Sequence, residues 1–294
     1  MFSILICSVN KVFLDKIKTN IRDTVGCEYE LLVWDNQLDP KPITEAYNLL
    51  AAGAKFPYWC FIHEDIRFQT ENWSQLLLKA FEQHPETGLI GVAGSKYKSL
   101  ALSGWSTGIL DYDYCNIFHE DKTGKTVHLY NNPRRSVFEQ VVNVDGVFMA
   151  IRREVWASAQ FNTKMLHGFH CYDIDFSFQV MKNWKVGVLF NINILHFTQG
   201  GNYGDEWVNE TLKWHQAFSA QLPQSTGDFS IASGTENKIT RNWFFRLHTE
   251  NISISNKWKW IRANKTWRHP AAWPYAGLFL FGKILRKKAD AKVK

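Results

Sequence analysis

These 294 residues contain no Cys-x-x-Cys pair, no glycine-rich nucleotide loop, no internal repeat and no long hydrophobic run. The five cysteines (Cys7, Cys27, Cys60, Cys115, Cys171) are odd in number and widely spaced. A disulfide framework or a structural zinc site needs paired spacings, so reduced thiols in a cytoplasmic protein are expected. Without a Walker-type or dinucleotide loop, neither a kinase nor a nicotinamide enzyme is indicated. No stretch reaches the roughly 18–20 apolar residues that a spanning helix requires. The apolar start, Phe2 to Val9, has no basic residue before it and no small-residue cleavage site after it. It reads as a first buried strand rather than a signal peptide.

What is present suits a globular core: 45% of the residues are hydrophobic and 21% are charged. Strand and helix patterns alternate over the first hundred residues. Phe2 to Val9 precedes a helical stretch with Phe13, Ile17 and Ile21 on one face, and Tyr29 to Trp34 is a second strand. Thr44 can cap a helix running to Ala54. Tyr58 to Ile62 and Leu89 to Ala93 are further strands, on either side of a helix over Trp73 to Gln83. This spacing predicts βαβ units and a mostly parallel sheet, with ligands beyond the carboxyl ends of the strands. Residues 97–138, rich in Gly, Tyr, Asp and Asn, are expected to form an irregular insertion over the site. Regular elements return at Val141 to Ile151, Tyr172 to Asn183, Val186 to Phe190 and Glu206 to Gln221, and 223–256 reads as a linker or extension.

The chemistry-bearing residues cluster at predicted strand ends. His63-Glu64-Asp65 directly follows a hydrophobic strand, and its donors suit Mn²⁺ or Mg²⁺ bridging phosphates; a solvated loop with a capping Asp is the competing reading. Tyr172-Asp173-Ile174-Asp175 opens a helix after His167 and His170. Acids in a first turn follow from the macrodipole alone, yet one facing a cleft could act as a general base. His196 ends a strand and either completes a metal site or is structural. Asp35-Asn36 is by default a turn signal, and Asp145-Gly146 is a weaker signal still. Trp105, Tyr112 and Tyr114 offer flat faces for a ligand's rings or for local packing.

Seven segments in order carry a resemblance: Phe2 to Asn10, Leu31 to Asn36, Glu45 to Asn48, Phe61 to Ile66, Val144 to Phe148, Gly168 to Phe176 and Ile194 to Gly200. Together they resemble GT-A-fold glycosyltransferases of the family 2 type, in particular a bacterial subgroup with His-x-Asp in place of Asp-x-Asp. The resemblance implies an α/β, Rossmann-like domain over 1–222 with a C-terminal extension. It implies a metal-dependent, inverting transfer from a nucleotide-sugar, with a UDP-sugar favoured. The acceptor would be a glycan or lipid-linked glycan in bacterial surface polysaccharide assembly (lipopolysaccharide or capsule).

By position, Ser8, Asn10, Asp35, Asn48, His63, Glu64 and Asp145 would face the donor and sugar. Asp65 and His196 would hold Mn²⁺ or Mg²⁺, and Asp173 would be the base, with Asp175 and His170 as alternatives. His63 stands where the usual signature has its first Asp, and Tyr172 where the catalytic pair has Glu. A catalytically impaired GT-A domain that binds nucleotide or carbohydrate is the alternative function.

The net charge of +6 is unevenly placed. Residues 257–294 hold eleven of the 34 Lys and Arg and one of the 28 acids, so this segment carries +10 and residues 1–256 carry −4. Trp258, Trp260, Trp267 and Trp273 interleave with these cations. Cations beside aromatics suit an anionic membrane surface, ahead of a tail packed on the domain and well ahead of nucleic acid. The expected location is the cytoplasm, with this segment on the inner face of the cell membrane.

Overall fold

A computed structural model describes residues 1–121, 123–197, 203–268 and 270–290. The stretch after His196 that includes Gly200 and Gly201 lies outside the described residues, as do Lys292 and Lys294. The chain opens with β1 (Phe2–Ser8), α1 (Lys11–Thr24), β2 (Tyr29–Asp35), α2 (Ile43–Gly53) and β3 (Tyr58–Ile62). The Asn10 side chain starts α1 by accepting from Val12 N and Phe13 N, at 3.0 and 3.2 Å. At α2 the expected cap is corrected: Pro42 precedes the helix, and the Thr44 hydroxyl donates instead to Leu166 O at 3.0 Å. Next come β4 (Ile66–Phe68), α3 (Trp73–Gln83), β5 (Thr87–Gly91), β6 (Ala93–Ser95) and β7 (Tyr97–Lys98).

The central strands are apolar on both sides because both sheet faces are covered. Ile4 and Ile6 of β1, with Cys60 and Ile62 of β3, pack towards Ile17 and Ile21 of α1 and Trp73 and Phe81 of α3. The alternate residues Leu5, Trp59 and Phe61 pack towards Tyr47 and Leu50 of α2. That period of two fixes the register of each strand.

Residues 97–138 are more regular than expected. β8 (Asp113–Glu120) and β9 (Thr126–Asn131) form an antiparallel hairpin, and β10 (Phe138–Val141) follows. Asp121 closes its turn by accepting from Thr123 N and Lys125 N, and Gly124 takes a φ of 80°. The pattern was hidden because β9 lies almost wholly exposed on the sheet edge, where a strand needs no apolar face. β11 (Asn143–Val144), β12 (Phe148–Arg152), α4 (Tyr172–Val180), β13 (Lys185–Leu189) and β14 (Ile194–His196) complete the site-bearing part.

Seven strands form the main sheet in the order β10-β13-β5-β12-β3-β1-β2. β12 enters antiparallel between β3 and β5, so the sheet is mixed rather than parallel throughout. A smaller sheet runs β11-β6-β8-β14-β4, with β9 beside β8.

The C-terminal part is α5 (Asp205–Ala217), β15 (Gln224–Ser225), α6 (Thr235–Leu247), α7 (Ile254–Ala263) and α8 (Trp273–Asp290). Much of 223–256 is helical, with α6 packed on its neighbours. Ile239, Trp243, Phe244 and Leu247 of α6 are buried in a third apolar cluster with Trp207 of α5, Trp260 of α7 and Phe279 of α8. Most of the Ser, Gly and Thr content that suggested a linker precedes the helix, with Thr235 and Thr240 inside it. The tail also divides. Trp260 and Lys257 are buried, and Lys257 Nζ donates to Phe279 O at 2.6 Å, whereas Trp258, Trp267 and Trp273 are exposed. No helix of the described residues is long and apolar enough to cross a membrane. Trp260→Ala should cost about 3–5 kcal/mol in urea denaturation, and Trp258→Ala less than about 0.5 kcal/mol. Equal losses would contradict this division of the tail.

Candidate functional site

Parallel pairing brings the carboxyl ends of β1, β2 and β3 to one edge, where Ser8 lies in register with Asp35. Beyond β3, Glu64 turns back towards β1. Its carboxylate accepts from Val9 N and Asn10 N, both at 3.0 Å, and from the Ser8 hydroxyl. Ser8, Asn10 and Glu64 are therefore brought together and bonded to one another. Asp35 is exposed and accepts from Gln37 N and Leu38 N in its own turn, at 3.1 and 3.2 Å. Asn48 sits apart from this group: its amide donates to Phe161 O and accepts from Phe161 N, fastening α2 to the loop before α4.

His63 and Asp65 face the other way from Glu64 and meet His196 at the end of β14. Asp65 Oδ1 lies 3.3 Å from His196 Nε2 and 3.8 Å from His63 Nδ1. One ligand atom from each of the three falls within 4.8 Å of the others, a spacing a single cation can bridge. Burial opposes ionisation of Asp65, but the hydrogen bond and positive field of His196 outweigh it and lower its pKa. Burial lowers the His63 pKa, favouring the neutral imidazole that a metal requires. Two imidazoles and one carboxylate fit a first-row divalent ion such as Mn²⁺ better than the harder Mg²⁺. Among the described residues this is the one such cluster found.

His63 Nε2 lies 2.7 Å from the Tyr172 hydroxyl at the start of α4. The next residue, Asp173, accepts from Gly146 N at 3.1 Å through Oδ2 and from Ile174 N at 2.8 Å through Oδ1. Burial, and then the negative field of Asp145, pushes the Asp173 carboxyl up to about 7. Burial pushes Asp175 up to about 6, but this residue is fully buried beside Asn162, Gln179 and Trp214, away from the cavity wall. His170 lines the cavity, and burial lowers its pKa.

The cavity, of about 490 Å³, joins these groups. His63, His196, Asp145 and Asp173 line it, with Trp105 and His119. Tyr112 and Tyr114 do not reach it: both are buried, and the Tyr112 hydroxyl pairs with Thr235 at 3.1 Å. The opposite wall was missed from sequence. It consists of Tyr203, Trp207, Trp243 and Arg246, which stand on or next to α5 and α6. Trp207 and Trp243 stack at 5.3 Å, and the Arg246 guanidinium lies 5.1 Å from the Trp243 ring and donates to Ser106 Oγ at 3.0 Å. The signal available was the spacing of Trp243 and Arg246 on one helical face, within a segment whose composition suggested a linker.

A family described as "glycosyltransferase like family" matches residues 3–219. No curated protein sequence matches the chain. Among solved structures, the fold is similar to GalNAc-T7 with UDP, GalNAc and Mn²⁺, at 11% identity and a TM-score of 0.50, covering 74% of this chain and 48% of that one. The chain thus spans about half the length of that relative. It is also similar to S. aureus TarS 1–349, at 9% identity and a TM-score of 0.53, covering 98% of this chain and 91% of that one. The same TarS fragment in complex with UDP-GlcNAc gives 10% identity and a TM-score of 0.52, with 98% and 92% covered. These likenesses establish a mixed α/β fold with a central sheet flanked by helices, the GT-A class.

The raised pKa of Asp173 makes stability depend on pH. Its folded value lies above its unfolded one, so the contribution is complete below about pH 4 and is lost as pH rises through about 7. Asp173→Asn should match wild type in denaturant at pH 4 and exceed it by roughly 1–3 kcal/mol at pH 8. A difference independent of pH would contradict this environment for Asp173.

Proposed function

We propose that this chain, which belongs to the glycosyltransferase like family, moves a sugar with inversion from a nucleotide-sugar, a UDP-sugar favoured, to a glycan or lipid-linked glycan acceptor in bacterial surface polysaccharide assembly. The observation that carries this reading is the meeting of two groups in one cavity: the His63, Asp65 and His196 cluster, and Asp173 with its raised pKa. The nucleotides and Mn²⁺ held by the solved relatives support the donor class and the ion.

Asp65, His196 and His63 would hold a divalent ion, which when bound would supply Lewis-acid stabilisation of the leaving diphosphate. The protein's own residues do the rest. Asp173, whose pKa near 7 makes its carboxylate a stronger base than an ordinary Asp, takes the proton of the acceptor hydroxyl as that hydroxyl attacks. Gly146 N holds one oxygen of this carboxylate in place. Of the rival bases, Asp175 is shut away from the cavity, whereas the His170 imidazole lines it, made a weaker base by burial, and is the alternative. Trp105, Trp207 and Trp243 present flat apolar faces to sugar rings. Arg246 has no carboxylate partner among the described residues and suits an anionic oxygen of a substrate. The exposed Trp258, Trp267 and Trp273, set among basic residues, favour contact with an anionic membrane surface.

A panel of nucleotide-sugars, read by released nucleotide, tests the function directly. With the donor found, Asp173→Asn should lower kcat by about 10²–10⁴-fold while donor affinity survives, and chelation should stop turnover until Mn²⁺ is returned. Full turnover in the chelator would remove the ion from the reaction. Replacing Trp258, Trp267 and Trp273 together by Ser should reduce flotation with phosphatidylglycerol vesicles; equal flotation would reject the membrane surface. These three exposed positions are preferred to truncation at Asn256, which would strip Trp260 and Phe279 from the third cluster.

A further inference from the structure

The two positions that depart from the usual signature touch each other. His63 Nε2 and the Tyr172 hydroxyl are 2.7 Å apart, while His63 Nδ1 faces Asp65. An imidazole offers a lone pair to a metal through one nitrogen when the other carries the proton, and the partner of that proton decides which nitrogen is free. The Tyr172 hydroxyl is well placed to be that partner. Its ring is buried at the start of α4 against Tyr47 and Phe161, each 6.2 Å away between centroids. On the far side, the Gly146 backbone approaches so closely that a Cβ there would run into the hydroxyl. The oxygen is thus fixed by packing.

We propose that Tyr172 is a positioning residue that makes His63 the third protein ligand of the divalent ion, its hydroxyl oxygen accepting from His63 Nε2–H so that the Nδ1 lone pair is aimed at the space between Asp65 and His196. This rests on the metal-dependent reading above. It gives one physical reason for both departures. A carboxylate at 172 could accept the same hydrogen, but it would add a charge beside Asp145 and Asp173, whose fields already reach Tyr172. A neutral hydroxyl orients the ring without that repulsion.

The test is Mn²⁺ binding by the full chain without donor, followed by the electron paramagnetic resonance signal of free Mn²⁺. Tyr172→Phe should weaken binding about 10–100-fold. In a His63→Ala background, the same change should add nothing, because Tyr172 acts through His63. Wild-type affinity in Tyr172→Phe, or an undiminished loss in the His63→Ala background, overturns the proposal. Absence of Mn²⁺ binding by the folded wild type rejects the metal reading and this inference with it. A second measurement needs no variant: nitrogen-15 spectra of wild type should show neutral His63 protonated at Nε2. Protonation at Nδ1 overturns the proposal.

Discussion

The Glu64 carboxylate holds the working edge of the sheet in place. A buried carboxylate needs donors, and Glu64 draws three from the turn between β1 and α1. That commitment sets the path of the turn after β3. His63 N donates to Val147 O and Asp65 O accepts from Phe197 N, so the residues on either side of Glu64 are pinned to β12 and to the end of β14. With Glu64 directed to β1, His63 faces the cavity and Asp65 faces His196. The first turn of α1, His63, Asp65 and the strand that brings His196 are therefore joined in one hydrogen-bonded assembly. Tyr172 and Asp173 join it from α4 through His63 and Gly146.

Much of this assembly is legible in the sequence. Short-period patterns reveal β1, β3 and their helices because burial on both faces writes itself into consecutive residues. His63, Asp65 and His196 all stand at strand ends, and the antiparallel pairing of β14 with β4, which sets His196 opposite Ile66, brings them together. Their orientations were not legible. Nothing in His-Glu-Asp says that the middle residue turns to the backbone of β1 while its neighbours turn away, because the donors lie more than fifty positions distant. The β8–β9 hairpin escaped because one of its strands is solvated. The aromatic wall escaped because Trp207 and Trp243 come from segments that only tertiary packing brings to the cavity.

Charge followed a similar course. The basic excess lies in the last segment, but that segment is not uniform. Trp260 belongs to the third apolar cluster and Lys257 is buried against Phe279, whereas their neighbours Trp258 and Lys259 lie at the surface. α7 is amphipathic, with a core face and a solvent face, and only the solvent face can meet a partner.

The indole row across that cluster has a mechanical meaning. Trp260 of α7 lies 5.3 Å from Trp207, which in turn stacks on Trp243 at 5.3 Å, and the last two form part of the cavity wall. Close-packed rings transmit displacement because there is no void to absorb it. A load placed on the outer face of α7 is thus felt at the wall of the cavity, two rings away. In this chain the docking of the C-terminal helices and the shape of the pocket share the same three rings.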